Sequence, residues 1–184
     1  MKVAASDSFA EPKVRQAEMN DMEEITSIYN YYVEHGTATY ETDPISVEEM
    51  TQRWAAQHEQ GYPYLVASCN SKIAGYAYVR AYNTRAAYRN TVENSVYVDP
   101  SFVGRQIGTA LLGNLIEACT AIGYRQVVAV VGDTANEASI RLHESQGFRI
   151  VGSLTSVGYK HGQWLSTVIL QRSIGDGDKT PAQP

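Results

Sequence analysis

SVYVDPSFVGRQIGTALL, residues 95–112, is an apolar strand that ends at Asp99-Pro100, a short loop and the start of a helix. A helix start leaves backbone N–H groups unpaired and carries a partial positive charge, so it suits a phosphate or pyrophosphate. Gly104, Gly108 and Thr109 let a ligand come close to the main chain, and Arg105 adds a full positive charge. Glycine is also common in strand–loop–helix turns, so packing alone is the competing reading of this stretch.

The chain on either side divides into alternating periods. Residues 21–34 place Met22, Ile25, Ile28, Tyr29 and Tyr32 at helical spacing, with Asn20 as the expected cap and Glu23 as its partner. A second helix is expected after Ser46, capped with Glu49, with Val47, Met50 and Trp54 on one face. "YLVASC" and "IAGYAYVRAY" read as a hairpin turning at "NSK". "TVENSVYV" alternates, with Val92, Asn94, Val96 and Val98 on one face and Glu93, Ser95 and Tyr97 on the other. Ile107, Leu111, Leu112, Leu115, Ile116 and Cys119 form the stripe of the next helix, which is expected to end near Gly123. "QVVAVV" reads as a strand buried on both faces. "NEASIRLHESQG" reads as a short helix stopped by Gly147, followed by "FRIVG" and a hairpin turning at His161-Gly162. The expected class is α/β (α+β), with a mixed, largely antiparallel central sheet flanked by helices. Residues 1–13 are expected to be flexible, 14–172 to form one domain and 173–184 to be a disordered tail.

A chain of 184 residues is long enough to bury a substantial core. The net charge of −5 argues against nucleic-acid binding through bulk electrostatics. No apolar run reaches the roughly 18 residues of a membrane span, and the opening "MKVAASDSFA" lacks the apolar core of a secretory signal. Cys69 and Cys119 read as buried thiols of a cytoplasmic protein rather than a disulfide, and no Cys/His spacing suggests a metal.

Three further groups could carry chemistry. Glu93 is a carboxylate in the middle of an apolar strand, able to take a proton from a nucleophile arriving at the sheet. A solvent-facing glutamate is the plain alternative. Arg80, Arg85 and Arg89 lie in a Tyr-rich connection and could clamp a carboxylate or phosphinate. Ordinary surface arginines would give the same pattern. His143 shares a helix face with Ser139 and could protonate a leaving group, or could simply be an amphipathic helix residue.

In their order along the chain, "IYNYYVEHGTATYET", "YRNTVENSVYVDP", "GRQIGTALL", "NEASIRLHESQGF" and "VGYKHGQWL" resemble the GNAT superfamily of N-acetyltransferases, in its phosphinothricin and methionine sulfoximine branch. The resemblance runs from about Val14 to Gln171. It implies direct transfer of acetyl from acetyl-CoA to the α-amine of a small amino-acid-like substrate, without a metal, in a cleft between splayed strands. It further implies that Val96, Tyr97 and Val98 bind the pantetheine arm, with backbone N–H groups near Val98 stabilising the oxyanion. Gly104, Arg105, Gln106, Ile107, Gly108 and Thr109 would wrap the diphosphate, and Asn136 and Ser145 would add cofactor contacts. Glu93 would act as base and substrate contact, His143 as acid toward the CoA thiolate, and Arg85 and Tyr88 as lining of the amino-acid pocket. A homodimer is implied as well. Other amines (an aminoglycoside, a polyamine, a protein N-terminus) and a non-catalytic acyl-CoA-binding module are the alternatives.

Two positions depart from the family pattern. Val103 and Gln106 stand where the loop usually has Arg or Gln and then Gly, and a positive φ at Gln106 would add about 1–2 kcal/mol of strain. Ser166 stands where the branch often has aspartate, which implies a different substrate choice.

Overall fold

Seven strands form one sheet in the order β1-β2-β3-β4-β5-β7-β6 in a computed structural model that describes residues 11–182. The strands are β1 (Lys13–Gln16), β2 (Tyr64–Cys69), β3 (Lys72–Ala81), β4 (Thr91–Val98), β5 (Gln126–Gly132), β6 (Arg149–Lys160) and β7 (Gln163–Ser173). The helices are α1 (Met22–His35), α2 (Val47–Glu59), α3 (Ile107–Ile122) and α4 (Glu137–Ser145). Among the described residues only β4 and β5 run parallel.

Side chains alternate across the sheet and build two cores. On one face, Met22, Ile25, Ile28 and Val33 of α1 and Met50 and Trp54 of α2 pack on Val66, Tyr76 and Tyr97. On the other, Ile107, Leu111, Leu112, Leu115 and Cys119 of α3 pack on Ala67, Val79, Val92 and Val127. The faces expected for β4 are the faces observed. Both hairpins turn as the sequence suggests. Asn70 and Ser71 take φ of 50° and 66°, and His161 and Gly162 take 50° and 77°, the left-handed pairs that match strand twist in two-residue turns.

Several expectations need correction. α1 starts at Met22, with neither Asn20 nor its neighbour capping it through a side chain. The Asp21 carboxylate turns back instead, to Arg15 at 2.7 Å and to the Glu18 N–H at 2.8 Å. β1 is too short and polar to read from sequence, yet it pairs with β2 from Lys13↔Ser68 to Gln16↔Leu65. "FRIVG" is no separate strand; it is the start of the 12-residue β6. The tail expected to be disordered from residue 173 is tied back: Ile174 is buried, and Arg125 donates to Gly177 O and Thr180 Oγ1. Residues 1–10 of the expected flexible segment, and 183–184, lie outside the described residues. Both cysteines are buried, and burial pushes the Cys119 thiol up to about 12.

The feature that positions everything else is the parting of β4 from β5. Their pairing runs from Thr91↔Gln126 to Asn94↔Ala129 and stops. β4 continues with β3 as far as Gly75↔Val98, while β5 continues with β7 as far as Gly132↔Thr167. Each strand follows its other neighbour, so the β5-facing edge of Ser95–Val98 has no strand partner. Val130 is 44% exposed in an otherwise buried strand for the same reason.

Candidate active site

A cavity of about 430 Å³ occupies the gap between the parted strands. Among its lining residues are Val96, Tyr97, Val98, Gly104, Gln106, Ile107, Gly108, Thr109, Asn136 and His143, all expected there from sequence. One wall is the start of α3. Its first intrahelical bond is Ala110 N–H to Gln106 O, and no side chain caps the helix. The N–H groups of Ile107, Gly108 and Thr109 are therefore left without an intrahelical acceptor, a fork suited to diphosphate. Asn136 caps α4 through Oδ1 to the Ser139 N–H at 3.2 Å and still borders the cavity. Arg105 sits over the Phe102 ring at 5.2 Å, outside the lining. Ser145 also lies outside it, because its hydroxyl donates to Leu142 O on the far end of α4.

Gln106 adopts φ 60°, ψ 14°. A side chain in this left-handed region costs about 1–2 kcal/mol, part of which glycine would return as extra freedom of the unfolded chain. Gln106→Gly is expected to stabilise the protein by about 0.5–1 kcal/mol, raising the thermal midpoint by about 1–4 °C in a chain of this size. It is also expected to bind CoA at least as tightly as the parent, as read by calorimetry.

His143 is 4% exposed and held at both ring nitrogens. Nδ1 lies 2.8 Å from Ser139 O and Nε2 lies 2.9 Å from Asn94 Nδ2. A carbonyl can only accept, so Nδ1 carries the hydrogen, and the neutral ring offers Nε2 to the Asn94 amide. Burial pushes the imidazole below its ordinary value, against the Ser139 bond that favours the charged form. A neutral ring with Nε2 as acceptor has no proton there to give. In this tautomer the ring counts against the expected role of His143 as acid toward the thiolate and favours that of a positioned wall of the cavity.

Two results follow from the lowered value. His143→Gln is expected to keep kcat within about tenfold, where loss of a true general acid costs about 10²–10⁴. Because the unfolded chain binds this proton more readily, the contribution of a neutral His143 is complete above the unfolded value of 6.5 and is lost as pH falls through the lower folded value. Thermal midpoints recorded from about pH 7.5 down to about 5 should fall, and less steeply in His143→Gln.

A second cavity of about 470 Å³ adjoins the first on the α1–α2 side. Both are lined by Ala38, Ser95, Tyr97, Val130 and Gly132, so they meet at the parting of the strands. Glu93 lines this second cavity, paired with Arg80 at 2.7 Å. Its carboxylate is largely buried (side chain 14% exposed), so the solvent-facing reading of Glu93 is set aside. Arg53 lies in the same cavity, bonded to Glu41 at 2.9 Å and to Glu49 at 2.6 Å.

Of the sequence cluster Arg80, Arg85 and Arg89, Arg80 alone lines one of these two cavities. Arg85 and Tyr88 line neither. They sit in the connection after Ala81, at a short 3-10 turn over Ala86–Tyr88, with Tyr88 exposed and edge-on to Tyr82. The pocket residues that sequence reasoning missed are Tyr40, Glu41, Arg53 and Tyr78. Arg53 stands four residues after Glu49 on α2 and pairs with it, and nothing local in the sequence marks it as facing inward.

The chain matches the family described as acetyltransferase (GNAT) domain over residues 14–169. It is 44% identical over 167 residues to a phosphinothricin N-acetyltransferase of Alcaligenes faecalis, covering 91% of this chain and 85% of that one. It is 34% identical to an L-methionine sulfoximine/L-methionine sulfone acetyltransferase of Salmonella typhimurium, covering 89% and 95%. The crystal structure of a phosphinothricin acetyltransferase from Sinorhizobium meliloti in complex with acetyl-CoA superposes with a TM-score of 0.91 at 42% identity, over 95% of this chain and 94% of that one.

Proposed function

This chain belongs to the GNAT acetyltransferase family, and from that premise we propose that it moves acetyl from acetyl-CoA to the α-amine of a small amino acid such as phosphinothricin or methionine sulfoximine. The observation that carries the acceptor assignment is the pairing of Glu93 with Arg80 in a cavity that opens onto the cleft. An α-amino acid brings one ammonium and one acidic group, the charges this pair can receive. Glu41 and Arg53 repeat the same two charges nearby. The cleft suits acetyl-CoA on its own evidence: an unpartnered strand edge for the pantetheine arm and an uncapped helix start for the diphosphate.

Glu93 takes one proton from the ammonium, freeing the nitrogen lone pair for attack on the thioester carbonyl. Main-chain N–H groups near Val98 receive the negative charge that develops on the carbonyl oxygen. The C–N bond forms and the C–S bond breaks. The proton shed by the nitrogen as it becomes an amide balances the departing thiolate, so no separate acid is needed and His143 can stay neutral.

A homodimer and a cytoplasmic location complete the reading. β6 is an edge strand bearing exposed Ile150, Val151, Leu154, Val157 and Tyr159, with Trp164 beside it, an edge that a second copy would cover. Sedimentation at micromolar concentration tests the dimer. The two buried cysteines fit a reducing compartment, and no helix among the described residues is long and apolar enough to cross a membrane.

The deciding experiment is thiol release from acetyl-CoA with a panel of amines. Amino acids bearing a second acidic or oxidised group should turn over fastest. Faster turnover of a polyamine or aminoglycoside would replace the acceptor, and thermal stabilisation by CoA without any turnover would make the chain an acyl-CoA-binding module.

A further inference from the structure

The motif "VGYKHGQWL" contains a buried ammonium that the chemistry above does not use. Lys160, the last residue of β6, is 3% exposed. Its Nζ donates to Tyr32 O at 3.2 Å, Gly36 O at 2.8 Å and Thr39 O at 2.9 Å. No carboxylate pairs with it among the described residues. All three of its donors are thus spent on main-chain carbonyls, two of them at the C-terminal end of α1, where the helix dipole favours a cation.

Tyr32 O lies in the last turn of α1, while Gly36 O and Thr39 O belong to a strap, residues 36–41, which leaves α1 and crosses to the β5–β7–β6 side of the gap. Thr37 Oγ1 bonds Asp133 Oδ2 at 3.0 Å, just past the end of β5. The Tyr40 hydroxyl lies 2.8 Å from Thr167 Oγ1 and 3.3 Å from Ser166 O on β7. The Tyr40 ring fits a slot between two glycines: a Cβ on Gly132 would stand 2.9 Å from Cε1, and one on Gly158 would stand 2.8 Å from Cε2. Ala38 of the strap borders both cavities, and Thr39, Tyr40 and Glu41 border the second.

We propose that Lys160 is a positioning residue for the amine acceptor, fixing through the carbonyls of Tyr32, Gly36 and Thr39 the strap that walls the acceptor cavity. The proposal rests on reading that cavity as the acceptor site. The main chain of the strap has few partners of its own, so the ammonium substitutes for a strand neighbour. The cofactor turn, residues 104–109, lies on a different element and touches none of these bonds.

Lys160→Met keeps the apolar stem and deletes the three donors. Steady-state kinetics should show the acceptor KM raised about tenfold or more, with kcat reduced less and the KM for acetyl-CoA within about twofold of the parent. Gly158→Ala pushes Tyr40 from the other end of the strap, leaves Lys160 in place and should move the acceptor KM the same way. Amide hydrogen exchange should quicken over residues 36–41 in Lys160→Met and stay unchanged at the start of α3. That readout does not depend on the acceptor: unchanged exchange in the strap overturns the proposal even if no amine is turned over. Parallel changes in both KM values, or faster exchange with an unchanged acceptor KM, also overturn it. If Lys160→Met fails to fold, Gly158→Ala decides by the same KM comparison. Absence of turnover by the parent protein overturns the proposed function separately.

Discussion

Glu93→Gln lowers kcat by about 10²–10³-fold while the Kd for CoA stays within about twofold. The substitution preserves shape and one oxygen for Arg80, which sits 2.7 Å from the carboxylate. What it removes is the capacity to hold a proton. An ammonium must lose a proton before its lone pair exists, so the penalty falls on the chemical step. The proposed CoA contacts lie on the free edge of β4 and the start of α3, and Glu93 does not line that cavity. Single-turnover acetylation and calorimetry with CoA, run on the same preparation, separate the two quantities. Equal loss in both would mean that Glu93 holds up the fold of β4 rather than serving the reaction.

Leu111→Ala costs about 3 kcal/mol of stability, within the range of about 2–5 for a buried leucine. Leu111 is fully buried on α3 and packs so tightly on β3 that a Cβ at Gly75 would meet its Cδ1 at 3.1 Å. The thermal midpoint should fall by about 6–12 °C for a chain of this length. The N–H groups at the start of α3 are main-chain, so they survive the truncation wherever the helix is folded. Well below the midpoint, CoA affinity should therefore stay within about threefold of the parent. A large loss of affinity at such temperatures would show that packing under the helix, beyond the helix start itself, sets the diphosphate site.

The elements legible from sequence were those whose signal is local. The α3 stripe, the β4 alternation, the Ser46 cap confirmed by its bond to Glu49 N–H, and both hairpin turns follow from spacing and turn chemistry. The wall of the first cavity was legible too, because strand, loop and helix start are contiguous in the chain. The side proposed for the acceptor was not. Its cavity combines Tyr40 and Glu41 from the strap, Arg53 from α2, Arg80 from β3 and Glu93 from β4, and only tertiary packing brings them together. Arg85 and Tyr88 were implied by the family resemblance, but the chain leaves the sheet at Ala81 and neither residue lines the two cavities. The surroundings of His143, a carbonyl at one ring nitrogen and an amide at the other, were equally invisible in sequence.

The five residues common to both cavities are one alanine, one serine, one tyrosine, one valine and one glycine, and none of them carries a formal charge. Every charged side chain that could read an acceptor is therefore anchored away from the donor half. New acceptors can be acquired by exchanging Glu41, Arg53 or their neighbours while the grip on the nucleotide is inherited intact. A divergent lineage would accordingly show a drifting diet of amines around a constant donor.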